Sequence, residues 1–194
     1  DNTFVLPSIS KQSPNVSLMH FYLADTLRNI DDYSNKDSKT FVDLGCSTGF
    51  LGNYVAKNFK SAKNGRVIFC DSSFDSINIS LSAYLFNNDL HIDDVNLLEG
   101  EIKDPVFVDK NITLDFRTGD ASQTLHGERA DISMACPIYI PEVCEVFSQA
   151  YTLFGIVSKM LGSDLYFAHS NLADNLVEES AEAIDAKLED VAFK

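Results

Sequence analysis

Apolar positions along this chain follow two rhythms that take turns. Residues 16–30 (VSLMHFYLADTLRNI) put Leu18, Tyr22, Leu23, Leu27 and Ile30 on or near one face of a helix. Residues 41–44 are a short apolar run, read as a strand, and residues 50–59 return to helical spacing. The alternation then repeats. Residues 66–70 (RVIFC) read as a strand, and residues 72–86 as a helix with Phe74, Ile77, Leu81 and Leu85 in phase. Strands are predicted at 111–116, 130–135 and 164–168, with helix over much of 141–161 and over 171–188. Residues 95–110 are the least regular part and are read as a short strand at 95–98 followed by a loop insertion. Residues 1–14 are polar, carry Pro7 and Pro14, and read as an extended arm, and residues 31–39 form a polar loop. Strands separated by helical stretches predict an α/β fold, a mostly parallel sheet with helices on both faces.

The junction between the first predicted strand and its helix carries the densest chemistry. The sequence there is Thr40-Phe41-Val42-Asp43-Leu44-Gly45-Cys46-Ser47-Thr48-Gly49-Phe50-Leu51-Gly52. Glycines let a backbone approach a ligand closely, and a helix start offers unpaired N–H groups, so such a turn suits a nucleotide-like molecule. A dinucleotide fingerprint requires G-x-G-x-x-G. Counted from Gly45, the second and third positions are Ser47 and Phe50, which disfavours a nicotinamide oxidoreductase.

Composition narrows the classes. The chain has 194 residues, 45% hydrophobic and 11% aromatic, which suits one globular domain with a sizeable core. Its formal net charge is −14, from 15 basic and 29 acidic residues. A nucleic-acid enzyme normally presents a basic face. The densest basic set, Lys57, Lys60, Lys63 and Arg66, is spread over a helix end and a loop. Direct nucleic-acid binding is therefore disfavoured, and a basic protein or peptide substrate fits better. No apolar run approaches the ~20 residues of a membrane helix. Cys46, Cys70, Cys136 and Cys144 form no C-x-x-C and lie at no zinc-like spacing from the four histidines, so no metal site is expected. Mostly buried, reduced thiols predict an intracellular, cytoplasmic protein.

Asp43 followed by Gly45-x-Ser47-x-Gly49 resembles motif I of the class I S-adenosylmethionine-dependent methyltransferases, an acid followed by G-x-G-x-G, with Ser47 where that family has its middle glycine. The resemblance implies a Rossmann-like domain over residues 40–194, preceded by an N-terminal arm and helix over 1–39, and S-adenosylmethionine as cofactor. It implies that Asp43 orients the loop and the cofactor's amino end. Asp71, at the end of the second strand, would accept the ribose hydroxyls, with Ser72 beside it. Asp120 would accept the adenine amino group and Ala121 would present its amide to the ring. Phe116 is a second candidate for the adenine face, because Leu114-Asp115-Phe116 looks like the L-D-W of one branch of protein methyltransferases.

The segment Cys136-Pro137-Ile138-Tyr139-Ile140-Pro141-Glu142 stands where that fold presents its reactive centre. It is similar to two branches: HemK-type glutamine enzymes with N-P-P-Y, and D-x-x-Y protein lysine methyltransferases. Tyr139 suits both and would wall the acceptor channel, while Cys136 replaces the polar anchor of both. The short interval between Tyr139 and the strand at 164, and the Leu114-Asp115-Phe116 segment, resemble the lysine branch more closely. Cys136 as a covalent nucleophile is disfavoured, since the order is Cys-Pro and no neighbouring base or cation lowers its pKa. The antiparallel hairpin that ordinarily closes the fold is expected to be missing or truncated, or completed by a partner subunit. Two functions follow: methyl transfer to a nitrogen of a protein side chain, or a catalytically degenerate methyltransferase-like subunit acting as a scaffold.

Overall fold

Val42 and Leu44 point to one side of the first strand while Phe41 and Asp43 point to the other, and all four are buried. A strand buried on both faces belongs in the middle of a covered sheet. The computed structural model, which describes residues 14–32, 36–95, 97–99, 104–135 and 154–167, places it there. The elements in chain order are α1 (Pro14–Asp32), β1 (Thr40–Leu44), α2 (Phe50–Asn58), β2 (Arg66–Asp71), α3 (Phe74–Asn87), β3 (Leu97–Glu99), β4 (Val106–Asp109), β5 (Ile112–Thr118), α4 (Ala121–Thr124), β6 (Ile132–Ala135), α5 (154–161) and β7 (Asp164–Phe167). Short 3-10 turns cover Ser61–Asn64 and Ile92–Asp94.

Among the described residues seven strands form one sheet, in the order β3-β4-β5-β2-β1-β6-β7. From β5 to β7 every pairing is parallel, as the alternation of helix and strand predicts. The chain builds outward from β1 through β2 to β5, then returns to β1's other side for β6 and β7. That reversal beside β1 opens a crevice outside the carboxyl ends of the strands, where open α/β sheets gather ligands.

The 95–110 region corrects the expected loop insertion. It carries two strands, β3 and β4, that extend the sheet antiparallel to β5. Lys110 and Asn111, both at positive φ, make the two-residue turn between β4 and β5, the backbone form whose twist suits a hairpin. With no glycine in the turn and only four residues in β4, the local pattern gave little notice.

One face of the sheet packs against α1, α2 and α3. Leu23, Ala24 and Leu27 of α1, Leu51 and Val55 of α2, and Ile77 and Leu81 of α3 share a cluster with Phe41, Phe69, Phe116 and Met134. Phe69, Phe116 and Phe107 stack in a row across β2, β5 and β4, with centroids 4.4 and 6.1 Å apart and rings 5° and 13° from parallel. The opposite face holds Val42, Leu44, Ile68 and Cys70 beneath Leu125 and the α5 residues Phe154, Val157 and Leu161. Farther along that face the cover is ionic. Asp115, 0% exposed, receives hydrogen bonds from Arg66 and Arg117, and both arginines also reach Glu128. In α3 the buried stripe runs through Ile77, Ser80, Leu81 and Tyr84, while Phe74, expected in phase with it, is 42% exposed because it opens the helix at the rim. Among the described residues no helix is long and apolar enough to cross a membrane.

Candidate cofactor site at the carboxyl ends of the strands

Three residues at alternating positions of the β1–α2 turn adopt left-handed backbone: Gly45 at φ 63°, Ser47 at φ 51° and Gly49 at φ 70°. The sequence spacing of small residues is thus a conformational spacing. Ser47, the departure from glycine, adopts the same turn as its two neighbours. At Gly49 a side chain is excluded twice, since a Cβ there would also lie 2.6 Å from the Ser80 Cβ. Gly49 stands before α2 without capping the helix through a side chain.

Asp43 lies beneath this turn, 2% exposed, and its Oδ2 accepts a 2.8 Å hydrogen bond from the Gly52 amide in the first turn of α2. Burial raises its pKa from 3.8 to about 7; the Gly52 bond opposes the rise and the nearby Asp71 charge adds to it. A carboxyl held protonated in the folded state loses that advantage as it ionises, so it contributes stability that falls as pH rises from about 4 to about 7. Asp43→Asn keeps an acceptor for Gly52 but cannot ionise. Thermal unfolding from pH 4 to 9 is expected to show the melting temperature of Asp43→Asn rising relative to the parent up to about pH 7 and then running level.

The strand ends are fastened to one another around this acid. The Cys46 amide donates to the Cys70 carbonyl (3.1 Å), and the Gly119 amide to the Asp71 carbonyl (2.9 Å). Asp71 ends β2 half-exposed, its Oδ2 accepting from Ser47 N at 2.9 Å and its Oδ1 from Ser73 N at 2.8 Å. Each oxygen retains a lone pair for a further donor. Ser72 is exposed beside it. Asp120 is exposed after β5, caps α4 by accepting from the Ser122 amide at 2.8 Å, and is held below the usual carboxylate range by its hydrogen bonds from Ser122, side chain and then amide. Ala121 follows it, half-buried against the second cluster. Asp43, Gly45, Ser47, Gly49, Asp71, Ser72, Asp120 and Ala121 are therefore brought to one end of three neighbouring strands, β1, β2 and β5.

Phe116 is a correction. It is fully buried and stacked between Phe69 and Phe107 on the α2–α3 side, so neither ring face is open to a ligand. Alternation along β5 explains this: Leu114 and Phe116 share the core face while Asp115 and Arg117 share the other. Cys136 and Tyr139 lie outside the described residues, and the strand that precedes them, β6, ends at Ala135 beside β1.

No family model matches the sequence, and no curated protein matches it either. Solved structures do. The proposed RNA methyltransferase PH1948 from Pyrococcus horikoshii is similar with a TM-score of 0.58 at 17% identity, over 91% of this chain and 71% of that one. TrmN from Thermus thermophilus is similar with a TM-score of 0.55 at 15% identity, over 86% of this chain and 43% of that one. Trm1 from Pyrococcus horikoshii, solved with S-adenosyl-L-methionine, is similar with a TM-score of 0.51 at 16% identity, over 76% and 36%. The fold is that of the S-adenosylmethionine-dependent methyltransferases. This chain spans under half the length of TrmN and Trm1.

Within the methyltransferase fold, two features of the site carried no local sequence signal of their own. Gly52 lies in the first turn of α2, and a Cβ there would come 2.3 Å from the Phe69 ring. Ser80 is fully buried in α3, donates to the Ser47 carbonyl at 3.0 Å and meets Cys46 Sγ at 3.5 Å. Burial holds the Cys46 thiol well above its ordinary pKa and raises Cys70 to about 12, so both are neutral thiols near pH 7. Among the described residues no cluster of His, Cys, Asp and Glu could hold a metal ion.

Proposed function

We propose that the chain binds S-adenosylmethionine at the carboxyl ends of β1, β2 and β5 and transfers its methyl group to a nitrogen of a protein side chain. The observation that carries this reading is the run of left-handed residues 45, 47 and 49 over a buried acid, with Asp71 one strand away. The donor and acceptor set fits the cofactor: a carboxylate with two open lone pairs for a diol, and a second acid for a cationic end. When bound, S-adenosylmethionine supplies an activated methyl on a sulfonium sulfur.

The residues of the chain hold and orient. Asp71 would accept the ribose hydroxyls, Ser72 would sit at the rim, and Asp120 with Ala121 would meet the base. Asp43, which ionises near neutrality, would balance positive charge on the cofactor. Tyr139 would wall the acceptor channel beside Cys136. Such a site works chiefly by positioning an amine and excluding water, so few ionisable groups are needed. The net charge of −14 supports a basic protein or peptide as acceptor. The degenerate-scaffold alternative draws on Cys136, which supplies no polar anchor for an acceptor nitrogen.

Calorimetric titration with S-adenosylmethionine, followed by a tritiated-methyl assay on a cell extract, tests both. Binding with label retained in protein after nuclease treatment is the expected result. Label lost to nuclease would overturn the protein acceptor. Binding without label transfer would favour the scaffold, and absence of binding would overturn both the cofactor and the activity.

A further inference from the structure

We propose that Ser80 is a positioning residue for the cofactor loop, holding from within α3 the one left-handed residue of the turn that is not glycine. The inference rests on reading that loop as the S-adenosylmethionine site.

Ser47 adopts φ 51°, a conformation that is strained for an L-residue and persists only when its surroundings hold it. Its peptide groups are gripped on both sides. Asp71 accepts the Ser47 N–H at 2.9 Å, and Ser80 Oγ donates to the Ser47 carbonyl at 3.0 Å. The first grip comes from a residue of the site itself. The second comes from a fully buried helix residue that touches no open space.

Ser80 is suited to this role by its neighbours. Its hydroxyl has one proton and two lone pairs. The Ser76 carbonyl, 2.9 Å away in the preceding helical turn, is the alternative acceptor for that proton. The neutral Cys46 thiol, 3.5 Å away, can fill a lone pair as donor, which leaves the hydroxyl proton for a carbonyl. Asn53 Nδ2 in α2 donates to the Ser80 carbonyl at 3.3 Å, and the Gly49 backbone packs directly on the Ser80 Cβ. One side chain of α3 therefore meets Cys46, Ser47 and Gly49 of the turn, and its backbone meets the helix that follows. Glycine at 47 would adopt the left-handed turn without strain, so Ser47 and Ser80 act as a pair: the serine creates the need and the helix hydroxyl meets it.

The test is a double-mutant cycle read by S-adenosylhomocysteine affinity, with thermal unfolding beside it. Ser80→Ala is expected to weaken binding about tenfold in the parent background, and under about threefold in a Ser47→Gly background, because glycine no longer needs the clamp. Ser80→Cys, similar in size with a weaker donor, is expected between parent and alanine, and carries the test if Ser80→Ala does not fold. A residue that merely supports the fold would lower the melting temperature equally in both backgrounds and leave affinity unchanged. That result, or unchanged affinity in Ser80→Cys where alanine does not fold, overturns the inference while the cofactor reading stands. A parent protein that binds no S-adenosylhomocysteine overturns both.

Discussion

Asp115→Ala is expected to remove about 3 kcal/mol of folding stability. Asp115 is fully buried on β5 and is the acceptor common to Arg66 and Arg117. Taking it away does not merely delete attractions. It leaves two guanidinium groups on neighbouring strands facing one another with Glu128 alone, half-exposed, to balance them. Leaving a partly desolvated charge without its partner is what makes breaking such a network costly, whereas the intact network adds little by comparison with an apolar substitute. Urea unfolding should show a lower midpoint with an unchanged slope. Combining Asp115→Ala with Arg66→Met should recover part of the loss, because one of the stranded cations goes with it; strictly additive losses would show that the ionic account is wrong.

Gly49→Ala is expected to lower S-adenosylhomocysteine affinity on the order of 100-fold while the domain stays folded. Two constraints meet at this residue. Its φ of 70° disfavours any Cβ, and that Cβ would lie 2.6 Å from the Ser80 Cβ and 2.7 Å from its Oγ. Ser80 is locked in the buried stripe of α3, so the turn is the part that must move. Moving it pulls on the Asn53 amide, which bonds the Gly49 carbonyl at 2.9 Å, and displaces Ser47 from Asp71. Isothermal titration beside circular dichroism separates the two effects. Retained affinity in a folded Gly49→Ala protein would mean that the turn does not carry the ligand.

Much of the fold was legible because the chain alternates its hydrophobic period. Residues 41–44 and 66–70 were readable as strands since both are short, mainly apolar runs, and both lie centrally. Strand β4 was not, because it is four residues long and the turn that joins it to β5 uses Lys110 and Asn111 in place of glycine. At the site, Asp43, Gly45, Ser47 and Gly49 were visible as a local motif. Asp71 and Asp120 were visible as acids that end strands. Phe116 was misjudged for a physical reason: the side of the sheet a residue faces depends on register, and a short motif does not fix register. Ser80 was out of reach because its partners in the turn lie 31 to 34 positions away in the chain, and nothing local distinguishes it from a serine on a solvated helix face.

The row of phenylalanines across β2, β5 and β4 has a consequence for how the sheet loosens. An added hairpin at a sheet margin is ordinarily the first part to fray. Here Phe107 is seated against Phe116, and Tyr84 of α3 reaches over to give its hydroxyl proton to Asp109, at 2.7 Å, on the same strand. Strand β4, next to the outermost strand, is thereby joined to the cooperative unit that contains β2, so it is expected to open with the interior and not before it.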